Sequence, residues 1–308
     1  MVNKTKFEVI AELWKKDKKQ YVKTSTYSAY SLLVDNHLIP EFKGKEDITE
    51  SLVQEYVLKE LSNGLNEKTI KDILIVLKMI LKFGVKYEMI EYQQIDIKFP
   101  TNHEKKVVDV LSRDNQKKLM EYLNENFTFK NLGIVICLSA GLRIGELCAL
   151  KWGDIDMEES VMRIRHTIQR IYITDEGDKK YTKILIDTPK TKESIRDIPL
   201  SNSLIKILKP LSKVVNKEYY VLTNEAVPTE PRTYRNYYKR LLKKLDIPDI
   251  KFHGLRHSFA TRCIEANSDY KTVSVILGHS NISTTLNLYV HPNKEQKKKC
   301  IDKMLRSF

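Results

Sequence analysis

Apolar residues recur every three to four positions through most of the first hundred residues, a spacing that predicts helices. Phe7, Ile10, Ala11 and Trp14 share one face of the first, which runs into the basic cluster Lys15, Lys16, Lys18 and Lys19. A second helix is expected from near Thr24, ending before Pro40. Thr49 is placed to cap a third, which carries Leu52, Tyr56 and Leu61 and stops at Asn63-Gly64. Asn66 is placed to cap a fourth, with Ile70, Ile73, Leu74, Leu77, Ile80 and Leu81 on its buried side. Four helices with short joints predict a small bundle.

The periodicity lapses over residues 99–110, which hold Pro100 and read as a linker, so the domain boundary is expected near 105. Beyond it the pattern is mixed: mainly helical, with a small antiparallel sheet. Ser112 caps a helix over 113–125, and others are expected over 129–140, 143–150, 203–215, 232–245, 254–266 and 270–277. Residues 160–167 and 183–190 alternate like strands. Residues 195–200 make a third short strand, closing a hairpin that turns at 191–194. The stretch 293–305 reads as a last helix following Pro292.

Charge sharpens this division. The net charge is +13, yet residues 1–104 balance 16 lysines, with no arginine, against 16 acidic residues. The whole excess therefore lies in residues 105–308, and every arginine is at or beyond Arg113. A polyanionic partner fits that distribution, because guanidinium groups suit phosphate; a generic basic surface is the plainer alternative. The four cysteines, Cys137, Cys148, Cys263 and Cys300, form no C-x-x-C pair and read as reduced thiols of a cytoplasmic protein. No apolar stretch approaches the ~20 residues a membrane span needs.

Five segments draw the eye for chemistry. In Ala140-Gly141-Leu142-Arg143-Ile144-Gly145-Glu146-Leu147, Gly141 is expected to turn the chain into a helix with Arg143 in its first turn. The dipole there favours an anion, and Glu146 is placed to hold the guanidinium. In His253-Gly254-Leu255-Arg256-His257, His253 and Arg256 lie side by side on a helix. His253 and His257 have the spacing of a zinc-binding pair, but the residues between them are Gly-Leu-Arg, so the general-base glutamate of a metalloprotease is missing and a cation would stand beside the metal. Leu277-Gly278-His279-Ser280 is followed ten residues later by Tyr289, one of sixteen tyrosines. Lys190 sits at the entrance of the expected hairpin turn, where taken alone it reads as an ordinary solvated turn lysine.

Together, in this order over residues 140–289, the five segments resemble the tyrosine recombinase (phage integrase-like) family: an Arg within A-G-L-R-x-[GS]-E-L, a hairpin Lys, an H-x-L-R-H box, an L-G-H box, then Tyr. No catalytic position departs from that pattern. The first region also resembles the family's SAM-like helical domain. The resemblance implies a core-site DNA-binding domain over 1–104 and a catalytic domain over 105–308, with an exchange tail from about 293.

The resemblance further implies that Tyr289 attacks the scissile phosphate to give a 3′-phosphotyrosine, while Arg143 and Arg256 clamp its oxygens. It makes His279 a hydrogen-bond donor, Lys190 the general acid, His253 the proton acceptor and Glu146 a support for Arg143. No metal, ATP or other cofactor is expected. Implied partners are double-stranded DNA with specific core sites, a homotetramer on synapsed DNA built from monomers or weak oligomers, and an accessory directionality factor. Strand exchange would pass through a Holliday junction. Arg232, Arg235, Lys239, Arg240, Lys243 and Lys244, on one helix, and the Lys15–Lys19 cluster are the DNA-contact candidates, whereas Tyr234, Tyr237 and Tyr238 read as packing. A chain starting at the bundle leans towards Xer-type recombinases or invertases. A non-cleaving regulator of the same fold, a type IB topoisomerase-like enzyme and a metal-dependent hydrolase are the competing readings.

Overall fold

The computed structural model describes residues 5–100, 109–174, 180–189 and 191–289, with Lys298, Ile301, Asp302, Met304 and Leu305. The chain divides into two compact units, residues 1–105 with 170–183, and residues 106–169 with 184–308. No helix among the described residues is long and apolar enough to cross a membrane.

The first unit is built on α1 (Phe7–Tyr21), α2 (Thr24–Leu33), α3 (Ile39–Phe42), α4 (Glu50–Ser62) and α5 (Glu67–Lys86). Thr49 and Asn66 cap α4 and α5 as expected, accepting from the amides of Leu52 and Lys68. Phe7, Ile10 and Trp14 of α1 meet Ile70, Ile73, Leu77 and Ile80 of α5 in one core. In α4 the buried residues are Val53, Tyr56 and Val57, with Leu52 and Leu61 only partly covered. Helical structure does not stop before Pro40. A π-helical turn over Val34–Leu38 links α2 to α3, which puts Pro40 in the first turn of a new helical segment. Proline is tolerated at the first positions of a helical segment. Within the same unit, the Tyr172 amide donates to Ser28 Oγ at 2.8 Å.

The second unit begins with α6 (Arg113–Glu125), capped by Ser112, and α7 (Phe129–Ala140), capped by Thr128. Every residue of α7 from Asn131 to Leu138 is buried, and the helix packs on α11 (His253–Glu265). Gly141, at φ 65°, ends α7 in the left-handed conformation, and the chain turns directly into α8 (Ile144–Ala149). Strands β1 (Ile155–Asp156), β2 (Val161–Ile164) and β5 (Arg196–Pro199) form an antiparallel sheet in the order β1-β2-β5; β3 (Thr167–Thr174) and β4 (Lys180–Asp187), whose residues from 170 to 183 are counted with the first unit, form a second sheet. The expected hairpin between 183–190 and 195–200 is therefore corrected. β5 pairs with β2, Ile198 facing Met162 across the ladder, while β4 pairs with β3, a strand the alternation did not reveal. A 3-10 turn at Lys192–Ser194 separates β4 from β5. Helices α9 (Asn202–Ser212), α10 (Pro231–Lys244), α12 (Tyr270–Leu277) and α13 (Ser283–Tyr289) complete the unit. The expected helix over 293–305 falls largely outside the described residues; Ile301, Asp302, Met304 and Leu305 are helical.

Candidate active site

Arg143 is the residue just before α8, and Glu146 is three residues into it. The Glu146 carboxylate accepts from the Arg143 amide at 2.9 Å and from its Nη1 at 2.6 Å. The anion beside the helix start is therefore the chain's own carboxylate, bonded to the amide of the residue that precedes the helix. Glu146 also holds the guanidinium, as its spacing from Arg143 predicts. Arg143 also donates from Nη2 to the Gly278 carbonyl at 2.8 Å and from Nη1 to Ser194 Oγ at 3.3 Å. Its side chain remains 34% exposed while Glu146 is 2% exposed, so the arginine is held from behind and open in front.

A second arginine, to which the sequence pattern assigned no role, lies on the far side of Glu146. Arg196 of β5 donates from Nη1 and Nη2 to the two carboxylate oxygens at 3.0 and 2.9 Å. Burial alone would push the Glu146 carboxyl up; the Arg196 hydrogen bonds and charge, joined by Arg143, outweigh it and hold the group below its usual value. Arg196 also donates from Nε to the Ile276 carbonyl, tying β5 to the end of α12. Its signal in the sequence was positional: β5 alternates buried and exposed, and Arg196 shares the inward face with Ile198.

Arg256, on α11, is 1% exposed and donates from Nη1 to the Gly141 carbonyl at 2.8 Å. The Arg143 and Arg256 guanidinium groups are thus both anchored on the residues that flank the α7–α8 turn and the α12 terminus. One helical turn apart on α11, the rings of His253 and His257 meet edge to face with centroids 4.5 Å apart. His253 is exposed by surface area, yet enough protein atoms surround the ring to desolvate it. Desolvation, then the charges of His257, Arg256 and Arg143, push its pKa down to about 4. Among the described residues there is no group of three or more His, Cys, Asp or Glu side chains arranged to hold a metal.

Gly278 ends α12 at φ 65°, and the His279 amide closes the turn on the Ser274 carbonyl at 3.1 Å. This sets the ring of His279 half-buried, with Nδ1 2.8 Å from the hydroxyl of Thr285. Desolvation and then the charges of Arg256, Arg143, His253 and Arg196 push its pKa down to about 4 as well. Both histidines and both arginines therefore feel one another across a single cluster. Tyr289 is the last residue of α13, and its side chain lies outside the described residues, as does Lys190 altogether.

Similarity to known families adds the decisive observation. The phage integrase family model matches residues 109–296, and that of the phage integrase N-terminal SAM-like domain matches residues 6–62. The chain belongs to the phage integrase family. It is a tyrosine-type site-specific recombinase, mainly helical with small antiparallel sheets. Over 272 residues it is 34% identical to a tyrosine recombinase XerC-like protein of Caldanaerobacter subterraneus, covering 81% of this chain and 69% of that one. It is 24% identical over 300 residues to the ICEBs1 integrase of Bacillus subtilis, covering 92% and 78%. Among solved structures, the Tn1549 transposon integrase in complex with transposon right end DNA superposes with a TM-score of 0.75, covering 96% and 99% at 23% identity. At that identity the likeness speaks for the fold.

The DNA-contact candidates of this integrase divide. On α10, Arg232, Arg235, Lys239, Arg240, Lys243 and Lys244 are all exposed, while Tyr234 and Tyr238 are buried in the core behind them. On α1, Lys16 and Lys19 are exposed and Lys18 is half-buried, but Lys15 is a correction. It is 9% exposed and paired with Asp35 at 2.9 Å and Glu12 at 2.6 Å, so its charge is spent inside the bundle.

Proposed function

We propose that this integrase cleaves and rejoins DNA at specific core sites through a covalent 3′-phosphotyrosine on Tyr289. The observation that carries the reading is the anchored pair Arg143 and Arg256 beside two histidines that are neutral at neutral pH. Two fixed guanidinium groups suit the equatorial oxygens of a pentacoordinate phosphorus, where negative charge accumulates in the transition state.

In the cleavage step the Tyr289 hydroxyl oxygen bonds to phosphorus and the bond from phosphorus to the 5′-oxygen breaks. The phenolic proton passes to His253, and Lys190 delivers a proton to the leaving 5′-oxygen. An unprotonated His253 is ready to accept. A bound phosphate offsets the arginine charges that depress it and so raises its basicity. Religation is the same step reversed by a 5′-hydroxyl from the partner strand. Ester for ester, the exchange is nearly isoenergetic, and no metal is needed where two arginines and a lysine carry the charge.

Residues 1–104 act as the core-site binding domain and residues 105–308 as the catalytic domain. The α10 face and Lys16, Lys18 and Lys19 meet the DNA backbone. The DNA-bound Tn1549 integrase supports double-stranded DNA as the partner. Four protomers exchange strands through a Holliday junction, and the tail beyond residue 293 docks on a neighbouring protomer. Such an enzyme works in the cytoplasm, with an accessory factor setting direction. The test uses a nicked half-site in EDTA, resolved on a denaturing gel. A covalent adduct lost in Tyr289→Phe supports the reading; DNA binding without an adduct, or cleavage that needs a metal, overturns it.

A further inference from the structure

Thr285 is 0% exposed and presents its hydroxyl to the ring of His279, six residues earlier, at 2.8 Å from Nδ1. No other hydrogen-bond partner of that hydroxyl is found among the described residues, which favours the direction in which the hydroxyl donates. Were Nδ1–H to donate, the buried Thr285 hydroxyl proton would have no acceptor among the described residues, at a cost of about 1–3 kcal/mol. With the hydroxyl donating, its proton is placed and Nδ1 is an acceptor. A neutral imidazole with Nδ1 as acceptor carries its proton on Nε2. We infer that Thr285 is a positioning residue that holds His279 in the Nε2–H tautomer, so that the ring offers a donor to the scissile phosphate. The inference rests on the role given to His279 above and names what fixes its tautomer.

The surroundings make such a device necessary. His279 lies among the charges of Arg256, Arg143 and Arg196, which oppose a second positive charge on the ring. The neutral ring has a single N–H, and cations around it favour turning a lone pair, not that N–H, towards them. A hydroxyl behind Nδ1 reverses the preference. The backbone is fixed for the same purpose. His279 closes the α12 terminus on Ser274, and the Thr285 amide donates to the Ile282 carbonyl at 2.9 Å, within the first turn of α13. Thr285 also precedes Tyr289 by four residues, about one helical turn, so the bond couples the helix bearing the nucleophile to the ring.

The test compares Thr285→Val, which keeps the shape without the hydroxyl, with Thr285→Ser, which keeps the hydroxyl. Single-turnover adduct formation on the nicked half-site and DNA affinity are both read. Thr285→Val is expected to slow adduct formation by about tenfold or more with unchanged affinity, and Thr285→Ser to stay within about threefold of the parent. His279→Asn should be slow by itself, and adding Thr285→Val to it should slow it no further. Nitrogen-15 spectra of the histidines in the unaltered protein should show Nδ1 unprotonated at neutral pH. A parent-like Thr285→Val beside a slow His279→Asn, or a protonated Nδ1, overturns the inference and leaves the phosphotyrosine reading standing. A parent-like His279→Asn overturns the role of His279 itself. Failure of Thr285→Val to fold leaves the spectra to decide.

Discussion

Arg196 and Glu146 meet through two parallel hydrogen bonds, at 3.0 and 2.9 Å, with side chains 5% and 2% exposed. A carboxylate buried to that degree needs its positive partners, and Arg143 is the other one. Glu146 is therefore shared: the inner arginine neutralises it, and the outer, half-open arginine is aimed by it.

Removing the inner partner separates those roles. Arg196→Met leaves a buried carboxylate compensated from one side only and is expected to cost about 3–5 kcal/mol, read as a lower urea midpoint with an unchanged slope. Adduct formation should fall as well, because Arg143 would be drawn inward to serve Glu146 alone.

The exposed face of α10 predicts a salt effect that depends on the residue. Removing one side chain that neutralises a phosphate should reduce the slope of log affinity against log salt by about 0.9. Arg235→Ala and Arg240→Ala are expected to show that reduction in anisotropy titrations on a core site. Lys239 is paired with Asp249 at 2.9 Å, so Lys239→Ala should change the slope less. Equal effects from all three would mean that the Asp249 pair opens on DNA.

Features set by neighbouring residues are legible in the sequence. Thr49, Asn66 and Ser112 begin helices because each side chain caps an amide two or three residues on. The pairing of Arg143 with Glu146 follows from their three-residue spacing. Features set by distant residues are not legible there. Lys15 reads as one lysine of a basic cluster until Asp35, twenty residues later, arrives beside it. Strand β5 alternates correctly, yet nothing in residues 195–200 says that its partner is β2 and not β4. Arg196 and Thr285 do not stand out in the sequence because their partners, Glu146 and His279, come together with them only in the fold.

The two depressed histidines predict how stability depends on pH. His253 and His279 bind a proton more weakly folded, at about 4, than unfolded, at about 6.5. Below pH 6.5 the unfolded chain takes up protons that the folded chain refuses, so this contribution to stability is complete at neutral pH and above. It is lost as pH falls from 6.5 through about 4. Melting temperature should therefore drop more steeply over that window for the parent than for a His253→Asn, His279→Asn double variant. Parallel curves would show that the rings protonate freely in the folded protein.

Gly278 offers the sharpest separation of backbone strain from close packing. It holds φ +65°, and a Cβ there would stand 2.8 Å from the Glu193 carbonyl oxygen and 3.1 Å from Arg196 Cδ. The nearest atom is backbone and cannot swing aside. Gly64, at the end of α4, has φ +82° with nothing within 4 Å. Gly64→Ala should thus report the left-handed strain alone, about 1 kcal/mol. Gly278→Ala should cost about 2–4 kcal/mol, adding an overpacking term to the same strain. The two should also differ in chemistry. The Gly278 carbonyl receives Arg143 Nη2 at 2.8 Å, so displacing it moves this partly exposed arginine. Gly278→Ala is therefore expected to slow adduct formation under conditions where it remains fully folded, and Gly64→Ala to leave the rate unchanged. Should Gly278→Ala cleave at the parental rate, the anchoring of Arg143 on that carbonyl has no part in the reaction.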